Sequence, residues 1–280
     1  MCLPAYPEFE LFDKKHKPVL DAAFREHPPE ISECTFTNLY AWMGFYRLEI
    51  SCLDGFIVLR AGFDVMPKFL DLVGDGDRHA AVVRILRDSG GAFIRVSEMT
   101  KKACEKDAQC RIELDPASSD YLYTMADLVD LKGSKYHAKR NLIKQFKAKY
   151  AYEYAALDES HIQECLDFQE RWCVLKECDK IKNLAYERSA VETMVKNCAE
   201  FGLMAGAIRV NGIISAVAIA QGLNSDTLVM HVLKADPNLR GLYQTMMNEF
   251  LSRCAGSFAY VNLEEDLGIE GLRKAKLSYY

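Results

Sequence analysis

The sequence predicts an α/β protein made of two related units, each with a mixed sheet. Half of the 280 residues are apolar and 11% are aromatic, which is enough for a full hydrophobic core. Segments with alternating apolar residues, typical of strands, are interleaved with longer segments of helical periodicity. The second half gives the order β-α-α-β-β-β-α-β-α, and the first half gives nearly the same order without the opening strand. We therefore predict domains at residues 1–120 and 121–280, with one large sheet as the alternative.

Cap and turn signals bound the elements of the first half. Asp13 is a typical N-cap, and His27-Pro28-Pro29 ends the helix that it starts. Asp54-Gly55 is typical of a hairpin turn. The predicted helices are 13–26, 33–46, 77–88 and 97–106, and the predicted strands are 46–53, 55–62, 68–73, 92–96 and 110–114. A turn-rich link follows at 115–120.

The second half carries equally clear signals. Asp158 is a candidate N-cap, and Asn211-Gly212 is a strong hairpin turn signal. The predicted strands are 150–154, 203–210, 213–222, 226–233 and 258–263. The predicted helices are 134–149, 159–176, 183–200, 241–254 and 269–276.

Composition and charge exclude several classes of protein. The formal net charge of −5 gives no overall attraction to nucleic acid or to an anionic membrane. No apolar run approaches the ~20 residues that cross a bilayer, and the first residues do not resemble a signal peptide. We therefore expect a cytosolic protein. None of the ten cysteines forms a C-x-x-C pair, so we expect reduced thiols that pack in the core.

The basic helix 134–149 is the most unusual local feature, because it carries six Lys/Arg residues and one His on an acidic chain. Helical periodicity places one apolar face at Tyr136, Leu142, Ile143, Phe146 and Tyr150, and an outward face at His137, Arg140, Lys144 and Lys147. Lys139 falls within the apolar face, where a lysine must find a polar partner or a cleft. We therefore expect Lys139 to belong to the site, whereas a solvated helix face is the alternative for the outward charges.

Two other segments are candidate sites. The segment KADPNLRG (234–241) joins a strand to a helix, and free N–H groups at a helix N-terminus suit phosphate or carboxylate. Asn238, Arg240 and Gly241 are therefore candidate cofactor-binding residues. The pattern lacks the repeated glycines of a phosphate-binding loop, so an ordinary connecting loop is the alternative.

The second segment is the acidic turn near the C-terminus. Asn262, Glu264 and Asp266 alternate beyond a strand end, where open α/β sheets bind ligands. Glu264 and Asp266 could act as a general base or bind an amine, with Arg273 as their internal partner when no ligand is bound. Pairs that only lock the last helix to the sheet are the alternative.

Other side chains are interpreted as packing residues, namely Trp172 and His231. The sequence contains no metal-binding cluster, phosphate-binding loop, dinucleotide fingerprint or Ser-His-Asp pattern.

Three motifs resemble a known family. YLYTMADLVDLKGSKYHAKRN (121–141) and NLEEDLGIEGLRKAKLSYY (262–280), with TFTNLYAW (35–42), are similar to the DUF2156 family of bacterial proteins. That family is similar to the C-terminal synthase domain of phosphatidylglycerol lysyltransferase. The resemblance spans the chain and implies two tandem GNAT-like acyltransferase domains, also similar to the FemABX aminoacyltransferases.

The resemblance implies an acyl- or aminoacyltransferase, with Glu264, Asp266, Lys139 and Arg273 as candidate catalytic residues. The donor would be an aminoacyl-tRNA or an acyl-CoA, and the basic helix 134–149 would contact tRNA phosphates. No metal is implied, and the acceptor and the oligomeric state are left open. The alternative is a non-catalytic protein that binds an amino-acid-like ligand on the same scaffold.

Overall fold

A computed structural model describes residues 2–62, 66–178 and 182–280 of the chain. The chain divides into two compact units, Met1–Ser119 and Asp120–Tyr280, each with its own sheet. This division lies one residue from the domain boundary that the sequence predicts.

The N-terminal unit has a six-stranded sheet with helices alongside it. Its strands are β1 (Glu10–Leu11), β2 (Leu48–Leu53), β3 (Phe56–Ala61), β4 (Lys68–Phe69), β5 (Val73–Gly74) and β6 (Ala92–Phe93). Its helices are α1 (Lys17–Glu26), α2 (Phe36–Tyr46), α3 (Arg78–Ser89) and α4 (Glu98–Cys104). The strand order is β1-β2-β3-β4-β6, and β5 pairs with β3.

The cap and hairpin signals of this unit are confirmed, but one strand prediction is wrong. Asp13 accepts a hydrogen bond from the Lys14 backbone, and β2 pairs with β3 across Asp54-Gly55. Residues 110–114, in contrast, form no strand. Ile112 and Leu114 are 41% and 84% exposed, so their alternation has no core to face. Strand propensity without a neighbouring strand does not produce a sheet.

The C-terminal unit has a second six-stranded sheet. Its strands are β7 (Leu122–Thr124), β8 (Tyr152–Ala156), β9 (Met204–Val210), β10 (Ile213–Gly222), β11 (Thr227–Ala235) and β12 (Tyr260–Asn262). Its helices are α5 (Met125–Asp130), α6 (His137–Lys149), α7 (Ile162–Lys176), α8 (Lys182–Lys196), α9 (Leu242–Cys254) and α10 (Glu270–Leu277). The strand order is β7-β12-β11-β10-β9-β8.

The parallel pairing of β11 with β12 covers only three residues, because β12 ends at Asn262. β11 is nine residues long, but it pairs with β12 only at Thr227–Val229 against Tyr260–Asn262. The neighbouring pair β10–β11 is antiparallel and continues from Gly222 back to Ala216. The carboxyl end of β11 is therefore held on the β10 side and separated from β12 on the other side.

The basic helix α6 has the two faces that its periodicity predicts. Tyr136, Ile143 and Phe146 are buried in the core of the C-terminal unit, which also contains Leu242 and Phe250 of α9. The outward residues are exposed, namely His137, Arg140, Lys144 and Lys147.

Several boundaries and one thiol assignment differ from the predictions. β12 ends at Asn262 rather than 263, and β11 continues to Ala235, two residues beyond its predicted end. The expectation that the cysteines are reduced is wrong for Cys173 and Cys178, which form a disulfide. The α7 helix ends between them, so the turn brings together two thiols whose spacing matches no redox motif.

Within the described residues, no helix has both the length and the apolar character needed to cross a bilayer.

We predict that Gly241→Ala destabilises the protein by about 3–5 kcal/mol. Gly241 has a φ of +90°. A Cβ there would collide with the Leu142 carbonyl oxygen of α6 and lie 3.1 Å from Phe146 Cβ. Urea denaturation of the purified protein measures the loss.

Gly90→Ala is the matched control, because Gly90 also has a left-handed backbone, with a φ of +60°, but an added Cβ would meet nothing within 4 Å. It isolates the backbone strain, expected at about 1–2 kcal/mol. Equal losses in the two variants would contradict the close approach of α9 to α6.

Candidate active site

The candidate site lies where β11 separates from β12, and its central residue is His231. Ile219 of β10 pairs with Val232 and Ala220 pairs with Met230, so His231 is an extra residue in β11. Such a bulge redirects a side chain and is common beside active sites. The imidazole of His231 is fully buried.

A carboxylate and an amide flank the imidazole. His231 Nδ1 lies 2.8 Å from Glu264 Oε1, and Nε2 lies 3.2 Å from Gln221 Oε1. An ionised carboxylate only accepts, so the Nδ1 proton points to Glu264. Nε2 is then the acceptor of the ring, and the Gln221 amide satisfies it with its NH2 group after a 180° turn about its last torsion. The pair of residues therefore has the geometry of a base held by an orienting carboxylate.

Backbone contacts hold Glu264 in this position. The Glu264 N–H donates to Asn262 Oδ1 at 2.7 Å, and Glu264 has a φ of +59°. Lys276 Nζ donates to the carbonyl oxygens of Leu263, Glu264 and Glu265 at 2.5, 3.0 and 2.5 Å. Because the Lys276 ammonium binds three successive carbonyl oxygens, it fixes the path of the loop that carries the Glu264 carboxylate.

This positive φ corrects the expectation that Glu264 and Asp266 project side by side. The extended backbone ends at Asn262, so the period of two stops before either carboxylate. Glu264 turns to His231, and Asp266 turns to Arg273 and Tyr121.

Asp266 is fully buried and has partners on both oxygens. Arg273 Nε and Nη2 donate to it at 2.7 and 3.0 Å, Tyr121 OH donates at 2.6 Å, and the Gly268 N–H donates at 2.8 Å. The Arg273 bonds, followed by that from Tyr121, hold the pKa of Asp266 well below its usual range. Four donors leave this carboxylate little capacity to bind an amine, and its catalytic role stays a prediction.

Lys139 lies beside the last residues of the chain. Its Nζ donates to Ser278 Oγ at 2.5 Å and lies 3.9 Å from the centre of the Tyr279 ring. Burial lowers its pKa. Its contacts are with the residues after α10 rather than with the His231–Glu264 pair, so its place in the site also stays a prediction.

Hydrogen bonds join the motif at 121–141 to the motif at 262–280. Tyr121 OH donates to Asp266, Tyr123 OH donates to the Lys276 carbonyl at 2.7 Å, and Tyr136 OH donates to the Tyr279 carbonyl at 2.7 Å. Two segments far apart in the sequence therefore form one structural element beside the site.

The connecting loop after β11 offers few groups for a phosphate. The Asn238 N–H already donates to Asp236 Oδ1 at 2.9 Å, and Gly241 serves the close approach of α9 to α6. Arg240 is exposed. The acidic Asp236 is also unfavourable for an anion at this position.

A second polar cluster, centred on Lys234, contains residues that the sequence did not single out as site residues. The prediction places Lys234 in the loop, but it lies inside β11 and is 4% exposed. Its Nζ lies 3.0 Å from Glu187 Oε1 and 3.9 Å from the centre of the Trp172 ring. Trp172 Nε1 donates to Tyr243 OH at 3.2 Å, so the indole has a polar role as well as a packing role.

The interpretation of His231 as a packing residue missed its two polar partners. The available signal was a histidine in the middle of an apolar strand, because a buried imidazole needs hydrogen-bond partners. The partner itself could not be found from spacing, since Glu264 is 33 residues away.

We predict that Asp266→Asn lowers the melting temperature by several degrees at pH 7 and by much less near pH 2.5. The folded-state pKa lies below the unfolded value of about 3.9. The carboxylate therefore stabilises the fold fully above that value, and the stabilisation is lost progressively as the pH falls from it through the lower folded-state pKa. Melting curves of the protein and the variant between pH 2.5 and 7 measure the difference.

Asp130→Asn is the control, because Asp130 pairs with Lys132 at the surface with 41% of its side chain exposed. If Asp266→Asn leaves the melting temperature unchanged and removes ligand binding or transfer, Asp266 handles an amine instead of locking α10.

Comparisons with known proteins agree with this architecture. The chain is 33% identical to a conserved protein of unknown function from Bacteroides thetaiotaomicron VPI-5482, with a TM-score of 0.87 and coverage of 97% of this chain and 94% of that one. The C-terminal DUF2156 domain of a predicted lysylphosphatidylglycerol synthetase from Agrobacterium fabrum is 12% identical, with a TM-score of 0.66 and coverage of 95% and 87%. FemX is 9% identical, with a TM-score of 0.62 and coverage of 97% and 94%. These likenesses confirm the predicted α/β fold class, with two units that each have a mixed sheet.

No curated protein matches the chain. The family model described as phosphatidylglycerol lysyltransferase, C-terminal, matches residues 24–280. The chain therefore belongs to the phosphatidylglycerol lysyltransferase C-terminal family.

Proposed function

We propose that the protein is an aminoacyltransferase, which moves an aminoacyl group from an aminoacyl-tRNA to an amine or hydroxyl of an acceptor. The observation that carries this proposal is the buried His231–Glu264 pair at the bulge of β11, 2.8 Å apart, beside the opening between β11 and β12. Membership of the lysyltransferase family supports the reaction class.

The pair supplies the proton transfer that such a reaction needs. The acceptor nucleophile attacks the ester carbonyl of the donor while His231 Nε2 takes its proton, and Glu264 stabilises the imidazolium that forms. The proton then passes to the ribose oxygen, which leaves as the hydroxyl of the tRNA. Nε2 faces Gln221 in this structure, so the acceptor would take the place of the Gln221 amide.

The loop between β11 and α9 supports an aminoacyl-tRNA over an acyl-CoA as the donor. A pyrophosphate needs several free N–H groups, whereas here the Asn238 N–H is bonded to the Asp236 carboxylate. The Leu142 carbonyl of α6 occupies the space beside Gly241, so a ligand cannot approach the backbone there.

The outward face of α6 is suited to the phosphates of the tRNA. Arg140, Lys144 and Lys147 line a groove of about 360 Å³ together with Asn248. Arg140 donates to the carbonyls of Leu131 and Gly133, and Lys147 lies 2.7 Å from Glu249 Oε1. Lys144 is therefore the cation with the most freedom to contact a phosphate.

The second candidate is a non-catalytic protein that binds an amino-acid-like ligand. The complete burial of the His231 imidazole favours it, since a base must reach its substrate. The activity of His231 variants distinguishes the two functions.

We predict that His231→Gln lowers aminoacyl transfer by about 10²–10⁴-fold, because the variant keeps a hydrogen-bonding side chain but cannot act as a base. The assay follows labelled amino acid from a total aminoacyl-tRNA pool into a tRNA-free product, with a cell extract as the source of acceptors.

The matched control is His79→Gln, because His79 lies in the N-terminal unit with 43% of its side chain exposed. Transfer from labelled acyl-CoA in a parallel reaction would show that the donor is an acyl-CoA rather than an aminoacyl-tRNA. No transfer from either donor by the unsubstituted protein would favour the binding protein.

We predict that Lys144→Gln reduces the slope of log Kd against log salt for tRNA by about 0.7–0.9. Lys147→Gln should reduce it less, because Glu249 already neutralises that ammonium. Binding of total tRNA to each variant across a range of salt concentrations measures both slopes. Salt-independent binding, or equal changes in the two variants, would contradict a phosphate contact at Lys144.

A further inference from the structure

The cluster around Lys234 contains two buried polar atoms without a hydrogen bond among the described residues. Lys234 Nζ forms an ion pair with Glu187 Oε1 at 3.0 Å but has no hydrogen bond that meets the usual geometry. Gln169 on α7 is 2% exposed, and its Nε2 donates to Cys173 Sγ at 3.4 Å while its Oε1 accepts nothing. Buried donors and acceptors in folded proteins nearly always have partners, so this pair of atoms needs an explanation.

The Lys234 ammonium lies against the ring of Trp172, and Gln169 belongs to the same helix as that tryptophan. Gln169 and Trp172 are three residues apart on α7, so their side chains are neighbours on one helix face. Lys234 Nζ lies 3.9 Å from the centre of the Trp172 ring. The indole is itself fixed by its bond to Tyr243, so Lys234 Nζ lies against a ring whose position is fixed.

Solvent can reach this cluster through Glu187. The side chain of Glu187 is 33% exposed, whereas the side chain of Lys234 is 5% exposed. The Glu187 carboxylate is therefore the solvent-exposed group of this ion pair, and the Lys234 ammonium is the buried one.

The chemistry of these groups selects one class of ligand. The Glu187 carboxylate would repel a simple anion, and the Lys234 ammonium would repel a simple amine. An α-aminoacyl group carries a carbonyl oxygen that accepts and, one carbon away, an ammonium that donates. It can satisfy the donor and the acceptor together and also pair with the carboxylate.

We infer that Lys234, Gln169, Glu187 and Trp172 form a subsite for the backbone of an α-aminoacyl group. The carbonyl oxygen accepts from Lys234 Nζ, and the α-ammonium donates to Gln169 Oε1 and Glu187. The inference rests on the proposed function for its role, because the group would be the one transferred. Lys234 and Gln169 are positioning residues in this arrangement.

The electrostatics of Lys234 fit this role. Burial lowers its pKa, and the Glu187 carboxylate acts in the opposite direction. A carbonyl oxygen on Nζ would replace part of the hydration that the ammonium has lost.

The test is a direct binding measurement that needs no acceptor and no tRNA. The chain has two tryptophans, so Trp42→Phe leaves Trp172 as the only indole to report on the site. Titration of this variant with L-alaninamide, and separately with L-lysinamide, is expected to change the fluorescence of Trp172 in a saturable way. Propionamide lacks the amine and isopropylamine lacks the carbonyl, so each is expected to bind at least about tenfold more weakly than L-alaninamide.

Two further substitutions separate a binding role from a structural one. In the Trp42→Phe background, Gln169→Leu removes a buried unsatisfied acceptor, so it should raise the melting temperature and yet weaken alaninamide binding by about 10–100-fold. The double variant Lys234→Met, Glu187→Gln keeps the charge balanced and should weaken alaninamide binding by a similar factor. The control is Lys196→Met, because Lys196 is also near α8 carboxylates but has 55% of its side chain exposed.

The outcomes distinguish this inference from the proposed function. No saturable response to either amide, or variants that bind as well as the parent, would overturn the subsite even if transfer activity is found. Binding without transfer in any assay would support the subsite and contradict the transferase. L-alanine binding as tightly as L-alaninamide would overturn the assignment to an acyl group, whereas preference for the amide supports an acyl group without a free carboxylate.

Discussion

The parallel pairing of β11 with β12 ends after three residues, and the C-terminal unit is organised around the gap that follows. Beyond this point β11 keeps its bonds to β10, while the chain after Asn262 leaves the sheet. The bulge at His231 turns an imidazole to the side on which the gap opens, and Glu264 reaches it from the loop after β12. A regular sheet at this position would leave no room for either side chain.

The loop that fills the gap has no regular structure, so its shape depends on polar contacts from elsewhere. Lys276 of α10 donates to three successive carbonyl oxygens, and Arg273 of the same helix pairs with Asp266. From the other motif, Tyr121 donates to Asp266 of the loop, and Tyr123 donates to the Lys276 carbonyl of α10. These bonds satisfy backbone and side-chain groups that would otherwise be buried without partners, which is why the loop can lie inside the unit. The position of Glu264, and with it the orientation of His231, follows from this network.

The polar clusters of the unit differ in one respect that bears on function. Asp266 accepts from four donors, so its hydrogen-bonding capacity is used within the chain. Lys234 and Gln169 have the opposite property, since each is buried and each keeps an atom without a hydrogen bond among the described residues. A cluster whose polar groups are all hydrogen-bonded stabilises the fold. A buried polar group without a hydrogen bond destabilises the fold until a ligand or a water molecule supplies that bond. This contrast, more than the number of charges, supports a structural role for the Asp266 cluster and the inferred binding role of the Lys234 cluster.

The sequence by itself determined the elements whose signals are local. Caps at Asp13 and Asp158, the turn at Asn211-Gly212 and the two faces of α6 depend on neighbouring residues and on periodicity, so they could be predicted without a fold. The motifs that resemble the lysyltransferase family supplied the fold class in the same way. Strand propensity at 110–114 was not sufficient, because a strand needs a partner that the sequence does not specify.

Only the tertiary structure decided which candidates form a site. Glu264 was a candidate from its place beyond a strand, but its partner His231 lies in another strand and became visible only through the β10–β11 register. The sequence predicts a strand that ends at residue 233 and so places Lys234 in the loop, whereas its burial against Trp172 depends on β11 continuing to Ala235. Contacts between distant residues depend on register and loop path, and these are set by packing and polar satisfaction over the whole unit.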